Sequence, residues 1–458
     1  MNRPGRRNLR RRGLYSGRQG EIPVIETHRP ILLLVTTRTY RAGAFLRAAE
    51  RLGLPVLVAT DQPLAWTSLE TPGVLTLDFA HPEIAAEDVA RATEGKLSAV
   101  VAAEDEGVFP AAVAALRLQL PHNSPESAAL TRDKAGMRQR LAQSGLPTNP
   151  PYWVFPLEAD PEDCAAQVQY PCVIKPRALS GSRGVIRADD PAQFVPAFQR
   201  TAQILRNELP ADPQEVHTTL LVEAYLPGSE HALEGLLRDG ELVRLALFDK
   251  PDPLEGPFFE ETIYVTPSRL DPALQQAIHS TVAHAASALG LTHGPVHAEV
   301  RVDADRVSIL EIAARSIGGL CSRALRFQGG ISLEEILLAD AAGLPLPGLR
   351  LEPAASGVMM IPIPGTGTLR SVQGVQAATA WPGITEVVVD QRPGATVVPP
   401  PDGSAYLGFI FAEGDAPAQV EASLRGAHAC LRIELDFAHP PTSHAGTMGP
   451  SDSGPRHA

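Results

Sequence analysis

Between residues 31 and 102, short apolar segments alternate regularly with amphipathic helical stretches, and this alternation restricts the fold more than any other pattern in the chain. The apolar segments are ILLLV (31–35), PVLVA (55–59) and SAVVA (98–102), and the helical stretches cover 42–52 and 84–94. Apolar strands that are separated by helices pair in parallel, because each helix carries the chain back across the sheet. The sequence therefore predicts a parallel α/β sheet in its first quarter.

This first unit, residues 29–123, is Rossmann-like in its order of elements but lacks the glycine fingerprint of dinucleotide-binding proteins. The segment TTRTYRAG follows the first strand, where G-x-G-x-x-G is required. We therefore expect this unit to act as a scaffold and not to bind NAD.

After residue 123 the pattern changes from α/β to α+β. A helix that carries Lys134 and Arg138 precedes a series of apolar segments that return on themselves, which predicts an antiparallel sheet. Two later strands, 295–302 and 306–314, are joined by the turn at 303–305 and predict a hairpin. We expect a second domain at 124–345, with a lid subdomain at about 150–225, and a small β-rich closing domain at 346–438.

Composition limits the partners of the chain. The net charge of -12 and the pI near 5.6 argue against a nucleic-acid surface, because phosphate binding requires a basic face. The four cysteines form no metal or disulfide spacing, and no apolar run reaches the length of a membrane span. We expect a cytoplasmic protein without membrane contact. The arginine-rich segment 1–28 and the segment 439–458 are expected to be disordered tails, a nucleic-acid arm being the alternative for the first.

A strand that ends in a lysine and runs into a glycine-rich loop is the first candidate for chemistry. Val173-Ile174-Lys175 leads into the loop 177–184, which contains Gly181, Ser182 and Gly184. Such a loop lets backbone N–H groups approach phosphate oxygens, and the lysine adds a compact positive charge. The segment predicts a phosphate flap, although an ordinary surface turn has the same composition.

The predicted hairpin supplies the second candidate. Residues whose numbers sum to about 608–610 lie opposite one another on it, so Glu299 and Glu311 face each other across the two strands. Two carboxylates within otherwise apolar strands repel each other unless a divalent cation lies between them, and hard oxygen ligands suit Mg²⁺. The alternative is a pair of carboxylates that face solvent.

A third candidate is the apolar strand that leads from Glu223 through a turn to Glu230. Backbone groups at the end of a strand can pair with the rim of adenine, and a carboxylate just past a turn can accept from ribose hydroxyls. The scarcity of lysine adds a modest argument, because only four of the 40 lysine and arginine residues are lysines, among them Lys134, Lys175 and Lys250. A retained ammonium group is typical of a phosphate contact.

In this order, the motifs resemble those of the ATP-grasp superfamily over residues 31 to 437. The segments TRDKAGMRQRLAQSGLPTNP, GPVHAEVRV and EIAARSIGGL are most similar to its biotin-carboxylase-like branch, which contains the L-amino-acid ligases and carnosine synthases. The resemblance implies an ATP-dependent carboxylate-amine ligase that acts through an acyl phosphate.

The resemblance also implies roles for individual residues. Lys134 and Lys175 contact the ATP phosphates, and Gly181, Ser182 and Gly184 cover them. Glu223, Ala224, Tyr225 and Leu226 line the adenine pocket, with Glu230 near the ribose. Glu299 and Glu311 hold Mg²⁺ or Mn²⁺, and Arg315 stabilises the transition state that leads to the acyl phosphate.

Three positions leave the mechanism open. Ala313 stands where many relatives have asparagine, so a second metal ion lacks a ligand. His297 either contacts the acceptor amine or packs within its strand. Lys250 is a further candidate catalytic residue and, in the segment 250–260 with Phe258 and Phe259, belongs to a mobile lid in this interpretation.

Two other activities fit the same motifs. One is a carboxylating enzyme that uses bicarbonate, as in biotin or purine pathways, and the other is a catalytically silent nucleotide-binding protein. We expect small-molecule carboxylate and amine substrates and, from related ligases, a possible homodimer.

Overall fold

The computed structural model describes residues 29–37, 39–63, 74–146, 148–210, 213–346 and 348–437. The two predicted tails, 1–28 and 439–458, lie outside the described residues. Within these ranges, no helix combines the length and the apolar character that crossing a membrane requires.

The first unit is built on a parallel sheet, as predicted from the alternation of apolar and helical segments. Its elements are β1 (Ile31–Val35), α1 (Ala42–Leu52), β2 (Val56–Thr60), β3 (Val74–Thr76), α2 (Pro82–Thr93), β4 (Ala99–Ala102) and α3 (Asp105–Arg117). The strand order is β3-β2-β1-β4, and every pair is parallel. All five residues of β1 are buried, because the strand has a neighbour on each side and helices on its faces.

Two short helices lead from this unit to a four-stranded antiparallel sheet. They are α4 (Pro125–Leu130) and α5 (Lys134–Gln143). The side chains of Ser124 and Asp133 cap their N-termini, which explains why the chain forms two helices here instead of the single predicted one.

The four-stranded sheet contains β5 (Tyr152–Pro156), β6 (Cys172–Pro176), β7 (Ile186–Ala188) and β8 (Thr219–Ala224), with α6 (Pro161–Ala165), α7 (Pro191–Arg206) and α8 (Glu215–Thr218) between the strands. The strand order is β5-β8-β6-β7. Phe194 and Phe198 of α7 pack into the core beneath this sheet.

The remaining residues form a long antiparallel sheet, two smaller sheets of two and three strands, and the helices that pack with them. In chain order the elements are β9 (Ser229–Arg238), β10 (Glu241–Lys250), β11 (Ile263–Thr266), α9 (Pro272–Ala288), β12 (Gly294–Asp303), β13 (Arg306–Ala313), a 3₁₀ turn (Cys321–Ala324), β14 (Arg326–Phe327), β15 (Ile331–Ser332), α10 (Leu333–Ala341), β16 (Ala355–Ile361), β17 (Gly367–Gln373), α11 (Val375–Thr379), β18 (Ile384–Val389), β19 (Thr396–Val397), β20 (Gly408–Gly414), α12 (Pro417–Ala429) and β21 (Arg432–Phe437). The eight-stranded sheet has the order β13-β12-β9-β10-β11-β16-β20-β18. Three strands from the region expected to form a closing domain therefore extend the central sheet, and β17, β19 and β21 form a separate sheet beside it.

The hairpin of β12 and β13 has the predicted register. Glu299 and Glu311 are Cα partners, and the turn between Asp303 and Arg306 closes the hairpin. A β-bulge follows, because Val300 pairs with Ile309 and leaves Leu310 as the additional residue.

Candidate functional site

A cavity of about 640 Å³ lies where the parallel sheet, the four-stranded sheet and the eight-stranded sheet meet. Every predicted site residue except Gly184 and Lys250 lines it. The structure thus brings together side chains that are up to 181 positions apart in the sequence, from Lys134 to Arg315.

Lys175, at the end of β6, is fixed by a buried carboxylate. Its Nζ lies 2.5 Å from Oε2 of Glu223, which stands on the neighbouring strand β8. Arg138 of α5 is wholly buried and donates from Nε to the other oxygen of Glu223 at 2.6 Å. Burial raises the pKa of Glu223, but Arg138 and Lys175 outweigh it and bring the pKa to about 2. The carboxylate is therefore occupied by these two cations, and it serves to hold Lys175 in place.

Lys134 is the first residue of α5 and links three parts of the site. Its Nζ donates to the carbonyl oxygen of Leu179 in the glycine-rich loop at 2.9 Å. The same Nζ lies 3.3 Å from Oε1 of Glu311 on β13. The ammonium group thus stands between the loop and the second of the opposed carboxylates.

The glycine-rich loop takes the left-handed backbone conformations that its composition predicts. Gly181, Ser182 and Gly184 have φ values of +63°, +56° and +68°. A Cβ at Gly181 would lie 2.8 Å from that of Ser404, so the loop packs closely against the segment before β20. Gly184 does not reach the cavity wall, because its N–H donates to the carbonyl of Pro401 at 2.8 Å. It positions the loop, whereas the prediction had it cover phosphates directly.

The end of β8 forms another part of the wall. The N–H groups of Ala224 and Tyr225 donate to the carbonyls of Pro151 and Pro171. The ring of Tyr225 lies under the guanidinium of Arg187, 4.1 Å from its central carbon. Ala224, Tyr225 and Leu226 line the cavity, as a nucleotide pocket at this strand end requires.

Lys250 does not line the cavity. The sequence had suggested a direct catalytic role for it, which would require contact with the substrates. Its Nζ is enclosed by carboxylates of Glu230 and Glu261, each at 2.6 Å, and of Glu299 at 3.1 Å. Only 3% of its side chain is exposed, because these carboxylates and the ring of Tyr264, 4.9 Å from Nζ, surround it. Glu230 also receives the guanidinium of Arg301 at 3.0 Å, so both of its oxygens are already paired.

Among the described residues, the three carboxylates around Lys250 are the one group of three or more possible metal ligands that lie close together. Oxygens of Glu230, Glu261 and Glu299 lie within 4.8 Å of each other, and Glu311 is not among them. The ammonium of Lys250 contacts all three, and we therefore interpret this group as a lysine cage. Burial and Glu299 raise the pKa of Glu261 to about 7, although Lys250 opposes the shift.

His297 is held between two carboxylates. Its Nδ1 pairs with the buried carboxylate of Glu234, and its Nε2 lies 3.3 Å from Oε1 of Glu299. Burial lowers the pKa of His297, but the two glutamates outweigh it and raise the pKa to about 9. Glu234 also accepts from the N–H of Ile317 at 3.0 Å, which ties the loop after β13 to the sheet.

The first unit contributes more than the scaffold that the sequence predicted. Arg315 pairs with Asp105 at the start of α3, with 2.8 Å between Nη2 and Oδ2. Arg41, before α1, donates to the Ser316 hydroxyl at 2.7 Å. The first unit therefore forms one wall of the cavity, beside the loop after β13 that contains Arg315 and Ser316, here called the Arg315 loop.

Sequence reasoning missed Arg41, Asp105 and Glu234 because their partners are distant in the sequence. It also missed Glu261, although its partner Lys250 is only 11 positions away. The pair of Arg41 and Ser316 spans 275 positions. Asp105 carries one available signal, since it follows the apolar strand β4, where parallel sheets commonly place polar site residues.

Comparison with known proteins identifies two segments of the chain. Residues 168–324 match the model of the ATP-grasp domain, and residues 359–436 match that of L-amino acid ligase C-terminal domain 2. An uncharacterized protein of Sinorhizobium fredii, y4rH, is 24% identical over 87% of this chain and 81% of its own length.

Two enzymes are similar over most of the chain. Alanine--anticapsin ligase of Bacillus subtilis is 26% identical over 60% of this chain, which spans 61% of that relative's length. The crystal structure of L-amino acid ligase from Bacillus licheniformis superposes with a TM-score of 0.76 at 27% identity, covering 90% of this chain and all of that one. The chain therefore contains an ATP-grasp domain followed by an L-amino acid ligase C-terminal domain, and it is similar to an L-amino acid ligase over nine-tenths of its length.

Proposed function

We propose that the chain is an ATP-dependent ligase that joins the carboxylate of one amino acid to the amine of another through an acyl phosphate. The observation that carries the proposal is the single cavity that collects Lys134, Lys175, the glycine-rich loop, the opposed glutamates and Arg315. Its relatives alanine--anticapsin ligase and L-amino acid ligase support amino acids as substrates.

ATP binding in this proposal uses the faces of two sheets. Lys134 and Lys175 neutralise the phosphates, and Gly181 and Ser182 cover them, because their backbone conformation allows a close approach. The strand end 223–226 receives the adenine. Glu230 contacts the ribose only through lone pairs that Lys250 and Arg301 leave free.

The donor set of Glu299 and Glu311 suits Mg²⁺ or Mn²⁺. The two carboxylates are cross-strand partners that line the same cavity, and each has a lysine as its present counterion. Hard oxygen ligands of this kind hold Mg²⁺ together with phosphate oxygens, and the cation supplies charge neutralisation during phosphoryl transfer. Ala313 offers no further ligand beside them.

The remaining residues orient the reacting groups. A carboxylate oxygen of the first substrate attacks the γ-phosphorus, ADP leaves, and Arg315 stabilises the charge on the transferred group. The neutral amine then attacks the acyl carbon, the bond from that carbon to the phosphate oxygen breaks, and the departing phosphate takes up the proton that the amine loses. Both ring nitrogens of His297 are engaged by the carboxylates of Glu234 and Glu299, so His297 orients Glu299 and the loop after β13 and does not accept a proton from the amine.

A screen of amino-acid pairs with ATP and Mg²⁺ tests this function. The proposal predicts that ADP release requires two amino acids and that a dipeptide of the corresponding mass accumulates. ADP release that depends on bicarbonate alone, or no turnover with any pair, contradicts it.

A homodimer in the cytoplasm remains part of the proposal. Light scattering coupled to size-exclusion chromatography tests the oligomeric state, with a mass near 97 kDa expected for two copies of the 48.7 kDa chain.

A further inference from the structure

Arg41 is a buried cation in the cavity wall whose contacts are neutral. Only 3% of the residue is exposed, and it lines the cavity. Its Nη2 donates to the hydroxyl of Ser316, and its Nη1 donates to the carbonyl of Ala103. Its Nε is buried and has no hydrogen-bond partner among the described residues.

The other basic side chains on this wall are all neutralised by a carboxylate. Lys134 pairs with Glu311, Lys175 with Glu223, Arg301 with Glu230 and Arg315 with Asp105. Within the part of the chain that the structure describes, Arg41 alone among them makes no ion pair. Burying a charge without a counterion is unfavourable, so the position indicates an anion that arrives with a ligand.

The surroundings of Arg41 indicate which ligand this is. Ser316, its hydroxyl partner, directly follows Arg315, so the guanidinium stands beside the proposed site of acyl transfer. The rings of Tyr40 and Phe409, with centroids 6.0 Å apart, also line the cavity and offer apolar surface to an organic substrate. A guanidinium with a free N–H suits a carboxylate in particular.

We propose that Arg41 anchors the free α-carboxylate of the amino acid that supplies the amine. The inference rests on the proposed ligase function and specifies its second substrate. The carboxylate of the first amino acid loses its charge when it is phosphorylated, whereas that of the second keeps its charge until the product leaves. A fixed, otherwise unpaired cation fits a group whose charge does not change, since it stabilises ground state and transition state alike.

Kinetics with paired acceptors test the inference. For a productive pair from the screen, the acceptor is identified by fragmentation of the dipeptide and then compared with its own α-amide. Arg41→Gln is expected to lower kcat/KM for the acid by about 10- to 100-fold, the effect of losing a charge-assisted contact. Its kcat/KM for the amide and its KM for ATP are expected to change less than about threefold. Arg41→Lys is expected to retain part of the preference for the acid.

Arg47→Gln is the matched control, because it removes a positive charge from the exposed face of the same helix. Arg47→Gln should leave the ratio of kcat/KM for the acid to kcat/KM for the amide unchanged. Thermal unfolding shows whether Arg41→Gln is folded.

Three results overturn the inference. If Arg41→Gln lowers kcat/KM equally for the acid and for the amide, the arginine supports the fold or binds the first substrate. If the wild-type enzyme uses the α-amide as efficiently as the free acid, Arg41 does not anchor the carboxylate. This result needs no variant. Absence of amino-acid-dependent ADP release in the wild type removes the proposed function itself and this inference with it.

Discussion

At the scale of single residues, Arg138 shows how the fold prepares the site from beneath. It is wholly buried, and besides Glu223 it donates to the carbonyls of Ile309 and Leu310 on β13. One side chain thus connects α5, the four-stranded sheet and the central sheet below the cavity.

Replacing Arg138 by methionine is expected to lower the free energy of unfolding by about 3–5 kcal/mol, because Glu223 and two carbonyls lose a buried partner. Chemical denaturation measures the change. Arg140→Gln, on the same helix with its pair to Glu126 exposed, should cost less than about 1 kcal/mol. Equal losses in the free energy of unfolding for the two substitutions would show that the buried contacts of Arg138 stabilise the fold no more than an exposed ion pair does.

The sequence predicted those site residues whose position follows from local geometry. Glu299 and Glu311 follow from the register of a hairpin, and Lys175 from its place between a strand and a glycine-rich loop. Arg41 and Asp105 could not be found in this way, because their contacts depend on how the first unit packs against the Arg315 loop. The surroundings of Lys250 could not be predicted either, because the carboxylates that enclose it come from three separate segments.

At the scale of elements, Gly184 determines how the glycine-rich loop closes. It combines φ of +68° with a close contact, since a Cβ would lie 2.9 Å from the ring of Pro176. Gly184→Ala is expected to displace the loop and raise KM for ATP several-fold, measured by steady-state kinetics.

Gly145 provides the control for this substitution. Its φ is +75°, but a Cβ there meets nothing within 4 Å. Gly145→Ala should cost about 1 kcal/mol of backbone strain without changing KM for ATP. An unchanged KM in Gly184→Ala would show that the loop tolerates the displacement.

We predict that the stability of the protein depends on pH through Asp249, near the end of β10. Burial raises the pKa of Asp249, but hydrogen bonds from His231, Ser268 and Arg269 outweigh it and hold the pKa well below its usual range. A carboxyl group whose pKa is lower in the folded state stabilises above its unfolded pKa, about 4, and the contribution is lost as the pH falls through the folded value.

Asp249→Asn should therefore destabilise the protein by about 2–3 kcal/mol at pH 7, and the difference from wild type should shrink below about pH 4. Urea denaturation at a series of pH values measures it. Asp239→Asn, with 95% of the aspartate side chain exposed, is the control. A difference that grows towards acid pH would reverse the sign of this argument.

Most elements follow from periodicity, and the exceptions have physical causes. The helix α3 was missed because Pro110 stands inside it, where a proline normally ends a helix. The strands β17 and β21 were missed because both are largely polar, and their pairing joins Gly367 to Phe437 across most of the C-terminal region.

At the scale of the whole molecule, the central sheet joins regions that the sequence presents as separate. β16 pairs with β11 over four residues, whereas β11 pairs with β10 at a single position. The glycine- and proline-rich turns divide the sequence into separate regions. They could not show that β11 pairs with β16, because the paired residues are about 90 positions apart.

Deleting residues 346–458 should therefore expose the edge of β11, whose residues are all buried, and yield an aggregating chain. Size-exclusion chromatography of the truncated protein measures this. A monomeric fragment with the unfolding temperature of the full chain would show that the C-terminal strands are an independent unit.

The central claim is that one cavity couples ATP cleavage to amide formation through the opposed glutamates. The most direct measurement is the rate of phosphate release and of dipeptide formation for Glu311→Gln beside Glu126→Gln, whose carboxylate is exposed. We predict that wild type and Glu126→Gln release one phosphate per dipeptide and that Glu311→Gln loses both activities by at least about 100-fold. A Glu311→Gln enzyme that retains full, coupled activity would contradict the account.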